Sequence, residues 1–340
     1  MLRVFLRISA LFYRAGIGSV NLLYDFSIIA PQKAVKPVIS VGNLTLGGTG
    51  KTSVTVWCAN ELMRRGKRPA ILSRGYGRTG NLKEVRIVTD GQKISGDAQS
   101  CGDEPLMMAR QCPGVTIAVS SDRTSAARIV SERISPDCFL LDDGFQHRRL
   151  FRKGEIVCLD ESILRAPYLF PRGYLREPVS SLSRAGFAVV KSARKPGDYW
   201  HEFENIFSYK LKCVHAFFSY EPAGFRDHVT GESLPAEWIS QRRVSLFSGI
   251  AHPAEFEQTV RSMGGDVRTV TAFADHHAYS AETLSNLRKN AGEEGSVLVT
   301  TDKDSVKLPA DFPCKILTVK IRWSSGENEL MRYLEKCLAA

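Results

Sequence analysis

Short apolar runs alternate with amphipathic stretches along most of this chain. Between residues 36 and 210, segments 37–41, 69–73, 115–119, 139–141, 156–159 and 188–191 have the length and apolar content of buried strands. Stretches with helical spacing lie between them, among them 53–65, 105–111 and 124–132. Such alternation predicts a mostly parallel sheet flanked by helices. At residues 212–235 the pattern changes: 214–218 alternates weakly, and Glu221-Pro222-Ala223-Gly224 reads as a turn, so a short β connector is predicted there. A second series follows, with strands at 244–250, 267–271, 296–300 and 314–319 and helices at 254–263, 281–291 and 326–337. The expected organisation is therefore an N-terminal segment 1–30, a larger α/β domain 31–211, the connector 212–235 and a smaller α/β domain 236–340.

The first twenty residues form a separate pattern. Arg3, Arg7 and Arg14 fall within about 40° on one helical face, and Val4, Phe5, Ile8, Leu11, Phe12 and Ala15 make another. The run is too short and too charged to span a bilayer, which takes about 20 apolar residues. Arg7 interrupts the apolar core that a signal peptide would keep whole. The pattern fits a basic amphipathic helix in a membrane interface, with a helix packed on the protein body as the alternative. Gly16 and Gly18 are expected to end it.

Charge sharpens this picture and composition narrows it. The chain carries a net charge of +10, which favours anionic partners. No nucleic-acid signature is present and no Lys/Arg run exceeds three, so no nucleic-acid partner is expected. With 43% hydrophobic and 24% charged residues, disordered and fibrous classes are excluded. The eight cysteines are scattered without a Cys-x-x-Cys pair, which fits reduced thiols.

The most informative segment is Val41-Gly42-Asn43-Leu44-Thr45-Leu46-Gly47-Gly48-Thr49-Gly50-Lys51-Thr52, set between an expected strand and an expected helix. That order is the phosphate-binding P-loop, and it makes the larger domain P-loop NTPase-like. Amides at Gly47, Gly48, Thr49 and Gly50 would converge on phosphate, with the helix N-terminus adding positive potential. Lys51 would reach the outer phosphates and Thr52 would offer its hydroxyl to Mg²⁺. Thr45 stands where the usual pattern has Gly.

Other segments carry candidate chemistry. An apolar run ending in Asp142-Asp143-Gly144 matches the strand that places a metal-binding carboxylate beside a P-loop. Asp103, in Gly102-Asp103-Glu104-Pro105, has two readings: the N-cap of a following helix, or a general base for a hydroxyl acceptor. Local sequence favours the cap. Ser73 to Arg78, Ser121-Asp122-Arg123 and Pro171 to Pro178 are basic loops after strands, each able to supply an arginine against phosphoryl charge. Phe273-Ala274-Asp275-His276-His277 and Thr301-Asp302-Lys303-Asp304 lie at other strand ends, where capping and solvated turns are the plain readings.

Together, in order, these segments resemble the tetraacyldisaccharide 4′-kinases, the lipid A 4′-kinases of Gram-negative bacteria. The similarity runs through the P-loop, Ser73-Arg74-Gly75-Tyr76-Gly77, Gly102 to Pro105, Asp142 to His147, Leu175-Arg176-Glu177, Phe273 to His277 and Thr301 to Asp304. Thr45 is then part of the family pattern. The resemblance implies two α/β domains joined by a β connector. It implies ATP and Mg²⁺ as cofactors and transfer of the γ-phosphate to the 4′-hydroxyl of an acylated disaccharide 1-phosphate lipid, forming lipid IVA. It also implies a peripheral (monotopic) location on the cytoplasmic face of the inner membrane. Carried over residue by residue, Asp103 would be the base, assisted by His276, with Lys51 catalytic. Asp142, Asp143 and Thr52 would serve the metal, and Tyr76, Glu104, Arg123 and Arg176 would line the nucleotide site. Two other classes share part of the pattern: a P-loop GTPase or ATPase switch or metallochaperone, and a nucleotide-regulated membrane adaptor.

Overall fold

The computed structural model describes residues 2–339, with side chains from Phe5 onward, so Arg3 and Val4 of the expected stripes lie outside the described side chains. Its strands are β1 (Val38–Asn43), β2 (Pro69–Ser73), β3 (Arg86–Thr89), β4 (Thr116–Val119), β5 (Cys138–Asp142), β6 (Gly154–Asp160), β7 (Phe187–Lys191), β8 (Val214–Asp227), β9 (Ser233–Leu234), β10 (Arg243–Ser248), β11 (Asp266–Ala272), β12 (Val297–Thr301) and β13 (Lys315–Ser325). They form one mixed sheet, ordered β11-β10-β12-β13-β8-β7-β6-β1-β5-β2-β4-β3, with β9 on β8. Strands β1, β5 and β6 are buried along their whole length, which is why they read as continuous apolar runs rather than alternating ones. Helices cover the sheet, so the α/β class expected from the pattern is the one observed.

The order places the site. Strand β1 pairs in parallel with β5 on one side and β6 on the other, and the chain continues outward in both directions from β1. Open α/β sheets bind ligands at such a reversal, outside the carboxyl ends of the strands. Close approach there needs Gly42, where a Cβ would lie 2.4 Å from the Phe145 backbone nitrogen. The two largely parallel parts of the sheet, one edged by antiparallel β3, meet through the long antiparallel pair β8–β13.

Two expectations are corrected. Glu221 to Gly224 is no turn: it lies inside the 14-residue strand β8, and the ladder to β13 slips between Thr318 and Val319, beside Pro222. Proline cannot donate to the ladder, and the irregularity accommodates it. The N-terminal helix does not stop at Gly16 or Gly18 but runs from Leu2 to Asp25. Each glycine costs about 1 kcal/mol in a helix, and tertiary contacts offset that. Tyr13 packs edge-on against Phe170, Asn21 donates to Glu177 at 2.8 Å, and Asp25 pairs with Arg148 at 2.7 Å. Strand β3 and the helix Pro196–Phe207 were not anticipated. Among the described residues no helix is long and apolar enough to cross a membrane.

Candidate active site

The P-loop leaves β1 and enters the helix Lys51–Arg64 through Gly50, whose φ of +82° lies in the left-handed region. A side chain there would also meet the Phe218 ring at 2.7 Å. Residues 174–176 clamp the loop: Leu46 N donates to Tyr174 O at 2.7 Å, and Arg176 N donates to Leu44 O at 2.8 Å. Arg176 is thereby fixed beside Asp143, to which its guanidinium donates at 3.0 and 3.2 Å.

Acidic groups gather opposite Lys51. Asp142 ends β5, is 1% exposed, and accepts from Ser73 Oγ at 2.9 Å. Burial pushes its carboxyl up to about 7, reinforced by the negative charge of Glu104 and partly countered by Lys51. Asp143 behaves oppositely: burial raises it, but Lys51 and Arg176 outweigh that and hold it below the ordinary carboxylate value. Burial works against the Lys51 ammonium, yet Asp143, Glu104 and Asp142 leave its pKa raised. Arg123, 4% exposed, is lowered to about 10 by burial and by the like charge of Arg74.

The residues present fit a magnesium–nucleotide group. The buried hydroxyl of Thr49 and the Nε of Arg176 have no hydrogen-bond partner among the described residues. Asp142 and Asp143, whose negative charge acts on Lys51, and the buried Thr52 beside it supply hard oxygen donors of the kind Mg²⁺ takes.

Asp103 does not cap the helix that follows it. Gly102 is the N-cap of the helix Asp103–Gln111, with no side-chain cap, so the capping reading fails. Asp103 is instead the first helical residue and 5% exposed. Its Oδ1 accepts from Glu104 N at 2.9 Å, and its Oδ2 faces His276 Nδ1 at 2.8 Å. Burial raises its carboxyl, but the hydrogen bond and charge of His276, with Lys303 and Lys307, bring it below the usual value.

His276 comes from the loop after β11 and sits at φ +62°. Few non-glycine residues adopt that region, and those that do cluster at functional sites. The Tyr76 ring, from the loop after β2, lies 5.0 Å from its imidazole. His277 turns away and stacks on Phe273 at 4.4 Å. Two polar groups near the site escaped sequence reasoning. Glu177, 2% exposed, receives hydrogen bonds from Gln146, Arg184 and Asn21. Lys303 contacts Asp275 at 2.8 Å and Glu104 at 3.5 Å. Both lie in segments that sequence singled out, but nothing local distinguished them from solvated charges.

Comparison with known proteins adds a second kind of finding. The family model for tetraacyldisaccharide-1-P 4′-kinase matches residues 2–339. The tetraacyldisaccharide 4′-kinase of Syntrophus aciditrophicus (strain SB) is 35% identical over 331 residues, covering 93% of this chain and 88% of its own. That of Geobacter metallireducens (strain ATCC 53774 / DSM 7210 / GS-15) is 38% identical over 309 residues, covering 87% and 86%. A crystal structure of LpxK from Aquifex aeolicus in complex with ATP is 31% identical with a TM-score of 0.81, covering 99% of this chain and 100% of that one.

Proposed function

The chain belongs to the tetraacyldisaccharide-1-P 4′-kinase family, and on that premise we propose how its own residues perform the reaction. It is an ATP-dependent kinase that phosphorylates the 4′-hydroxyl of the tetraacylated disaccharide 1-phosphate in lipid A synthesis. The family match over the whole chain sets aside the switch, metallochaperone and adaptor alternatives.

One juxtaposition supports the chemical assignment above all: Asp103 meets His276 at 2.8 Å, with the charge of Lys51 acting on neighbouring Glu104. The Asp103 carboxylate takes the proton of the 4′-hydroxyl as that oxygen forms its bond to the γ-phosphorus and the bond to ADP breaks. His276 holds Asp103 in place. The P-loop amides and Lys51 keep the phosphates in line, and Arg176 and Arg123 add positive charge where negative charge grows. Thr52, Asp142 and Asp143 would hold Mg²⁺, which neutralises phosphate charge when bound. Segments 31–211 and 236–340 act as two domains joined through β8 and β13. His276 and Asp103 come from different domains, and their 2.8 Å contact is the pairing that domain closure would maintain while it excludes water.

The same reading places the enzyme on the cytoplasmic face of the inner membrane, without a nucleic-acid partner. The N-terminal helix carries exposed Phe5, Ile8, Leu11 and Phe12 beside exposed Arg7 and Arg14. A groove of about 540 Å³ between this helix and the 167–179 loop is lined by Arg7, Leu11, Arg14, Leu169, Arg172 and Val179. Arginines beside apolar walls suit an acylated anion. γ-Labelled ATP, Mg²⁺ and tetraacyldisaccharide 1-phosphate in detergent micelles test the function. Label is expected in the lipid with the native enzyme and not with Lys51→Ala. Label found only as free phosphate rejects the reading.

A further inference from the structure

We propose that Lys303 is a positioning residue for proton transfer: its ammonium occupies the Nε2 lone pair of His276 and so keeps the imidazole proton on Nδ1, facing Asp103. The proposal rests on Asp103 being the base and extends that reading to a residue outside it.

The geometry is specific. Lys303 Nζ lies 2.8 Å from Asp275 Oδ1, 3.5 Å from Glu104 Oε1 and 3.5 Å from His276 Nε2. An ammonium has three N–H donors and no acceptor, and here three acceptors surround it. A ring nitrogen facing an ammonium must present its lone pair. In neutral imidazole the proton then resides on Nδ1, which donates to Asp103 Oδ2 at 2.8 Å.

The other charges around the ring show why this matters. Asp103 faces it from the helix Asp103–Gln111, Tyr76 from the loop after β2, Asp275 from its own loop and Lys303, itself paired with Glu104, from the turn after β12. Asp275 Oδ2 lies 3.7 Å from Nε2 and on its own would favour a proton there. Such a proton gives either the wrong tautomer or an imidazolium that binds Asp103 as an ion pair. Lys303 occupies that side. Its charge also helps hold the Asp103 carboxyl below the ordinary value, against the effect of burial.

Lys303 is itself fixed from both flanks. Asp302 accepts from Arg226 at 3.1 Å and from Gln111 at 3.3 Å. Asp304, fully buried, accepts from Gly249 N at 3.1 Å, from Tyr279 at 2.9 Å and from Thr301 at 2.8 Å. These anchors belong to the turn rather than to the reacting groups.

The test compares native enzyme with K303M, K303R and D103N. Long-range ¹H–¹⁵N spectra of histidine-labelled protein, with H276Q to assign the signal, read the tautomer. The pH dependence of kcat reads the base. Native enzyme is expected to show the Nδ1–H tautomer. In K303M, Nε2 gains the proton, kcat falls about tenfold or more, since general-base catalysis supplies about 10²–10⁴-fold, the acid limb moves to higher pH, and KM for ATP changes little. K303R restores the tautomer and most of the limb. K303M with the native tautomer and native acid limb overturns the proposal, even if kcat falls. An active D103N overturns the base assignment instead, so the two failures are distinct.

Discussion

Asp103 Oδ2 and His276 Nδ1 lie 2.8 Å apart, although 173 residues separate them in the chain. A histidine that acts through an aspartate has a specific kinetic consequence. H276Q should lower kcat, and D103N should lower it further. Adding H276Q to D103N should then cost almost nothing more. The coupling energy from the double-mutant cycle is expected at about 0.5–3 kcal/mol, the range for residues in direct contact. Fully additive losses would show that His276 serves some other group.

Gly50 meets two constraints at once. Its φ is +82°, and a Cβ would lie 2.7 Å from the ring of fully buried Phe218. Gly50→Ala should therefore lose about 1–2 kcal/mol from the backbone alone, with a further loss as Phe218 shifts. Thermal unfolding reads the stability and nucleotide titration reads the weakened P-loop. An alanine variant as stable as the native protein contradicts the geometry.

Glu155 and Arg152 form a buried ion pair at 2.9 Å. Burial pushes the Glu155 carboxyl up to about 7, with Arg152 only partly countering it. Because the folded-state value is raised, this group's stabilising contribution is complete below its unfolded value, about 4.3, and is lost as pH rises through about 7. Native protein should thus lose about 1–3 kcal/mol relative to E155Q between pH 5 and pH 8. Parallel stability curves for the two proteins would contradict the assignment. R152M should be the most damaging of these changes, because it leaves a buried charge unpaired, at a cost of about 3–5 kcal/mol.

The N-terminal helix exposes Phe5 at 66%, Leu11 at 63% and Phe12 at 76%. Replacing all three with serine should weaken binding to anionic phospholipid vesicles about 100-fold, since each large apolar side chain is worth about 1.5–3 kcal/mol when fully buried and an interface buries only part. Point substitution is cleaner than deletion, because Asn21 on the same helix supports Glu177 near the site. Unchanged co-sedimentation with vesicles would remove the anchoring role.

Much of this was legible from residues close together in sequence. The P-loop, the strand ending at Asp142 and the alternation around them are local signals, and β2 matches its apolar run residue for residue. What stayed hidden depends on distant partners. Nothing beside Asp103 distinguishes a base from a cap, because His276 arrives from another strand end and Gly102 takes the cap position. The helix passes Gly16 and Gly18 because Phe170, Glu177 and Arg148 hold it, and no helical spacing encodes those contacts. Pro222 signalled a turn, yet the ladder from β8 to β13 absorbs it by slipping register. Lys303 looked like one charge in a mixed turn until Glu104, Asp275 and His276 converged on it.

The proposed reaction turns on Asp103 taking the acceptor's proton. Its most direct test is kcat for D103N in the labelled-ATP assay with saturating tetraacyldisaccharide 1-phosphate, alongside nucleotide affinity measured by titration. The substitution keeps the volume of a buried group and removes its basicity. Loss of the base is expected to lower kcat about 10²–10⁴-fold, with ATP affinity within about threefold of native. A D103N enzyme that transfers phosphate to the lipid at near-native rate would contradict it.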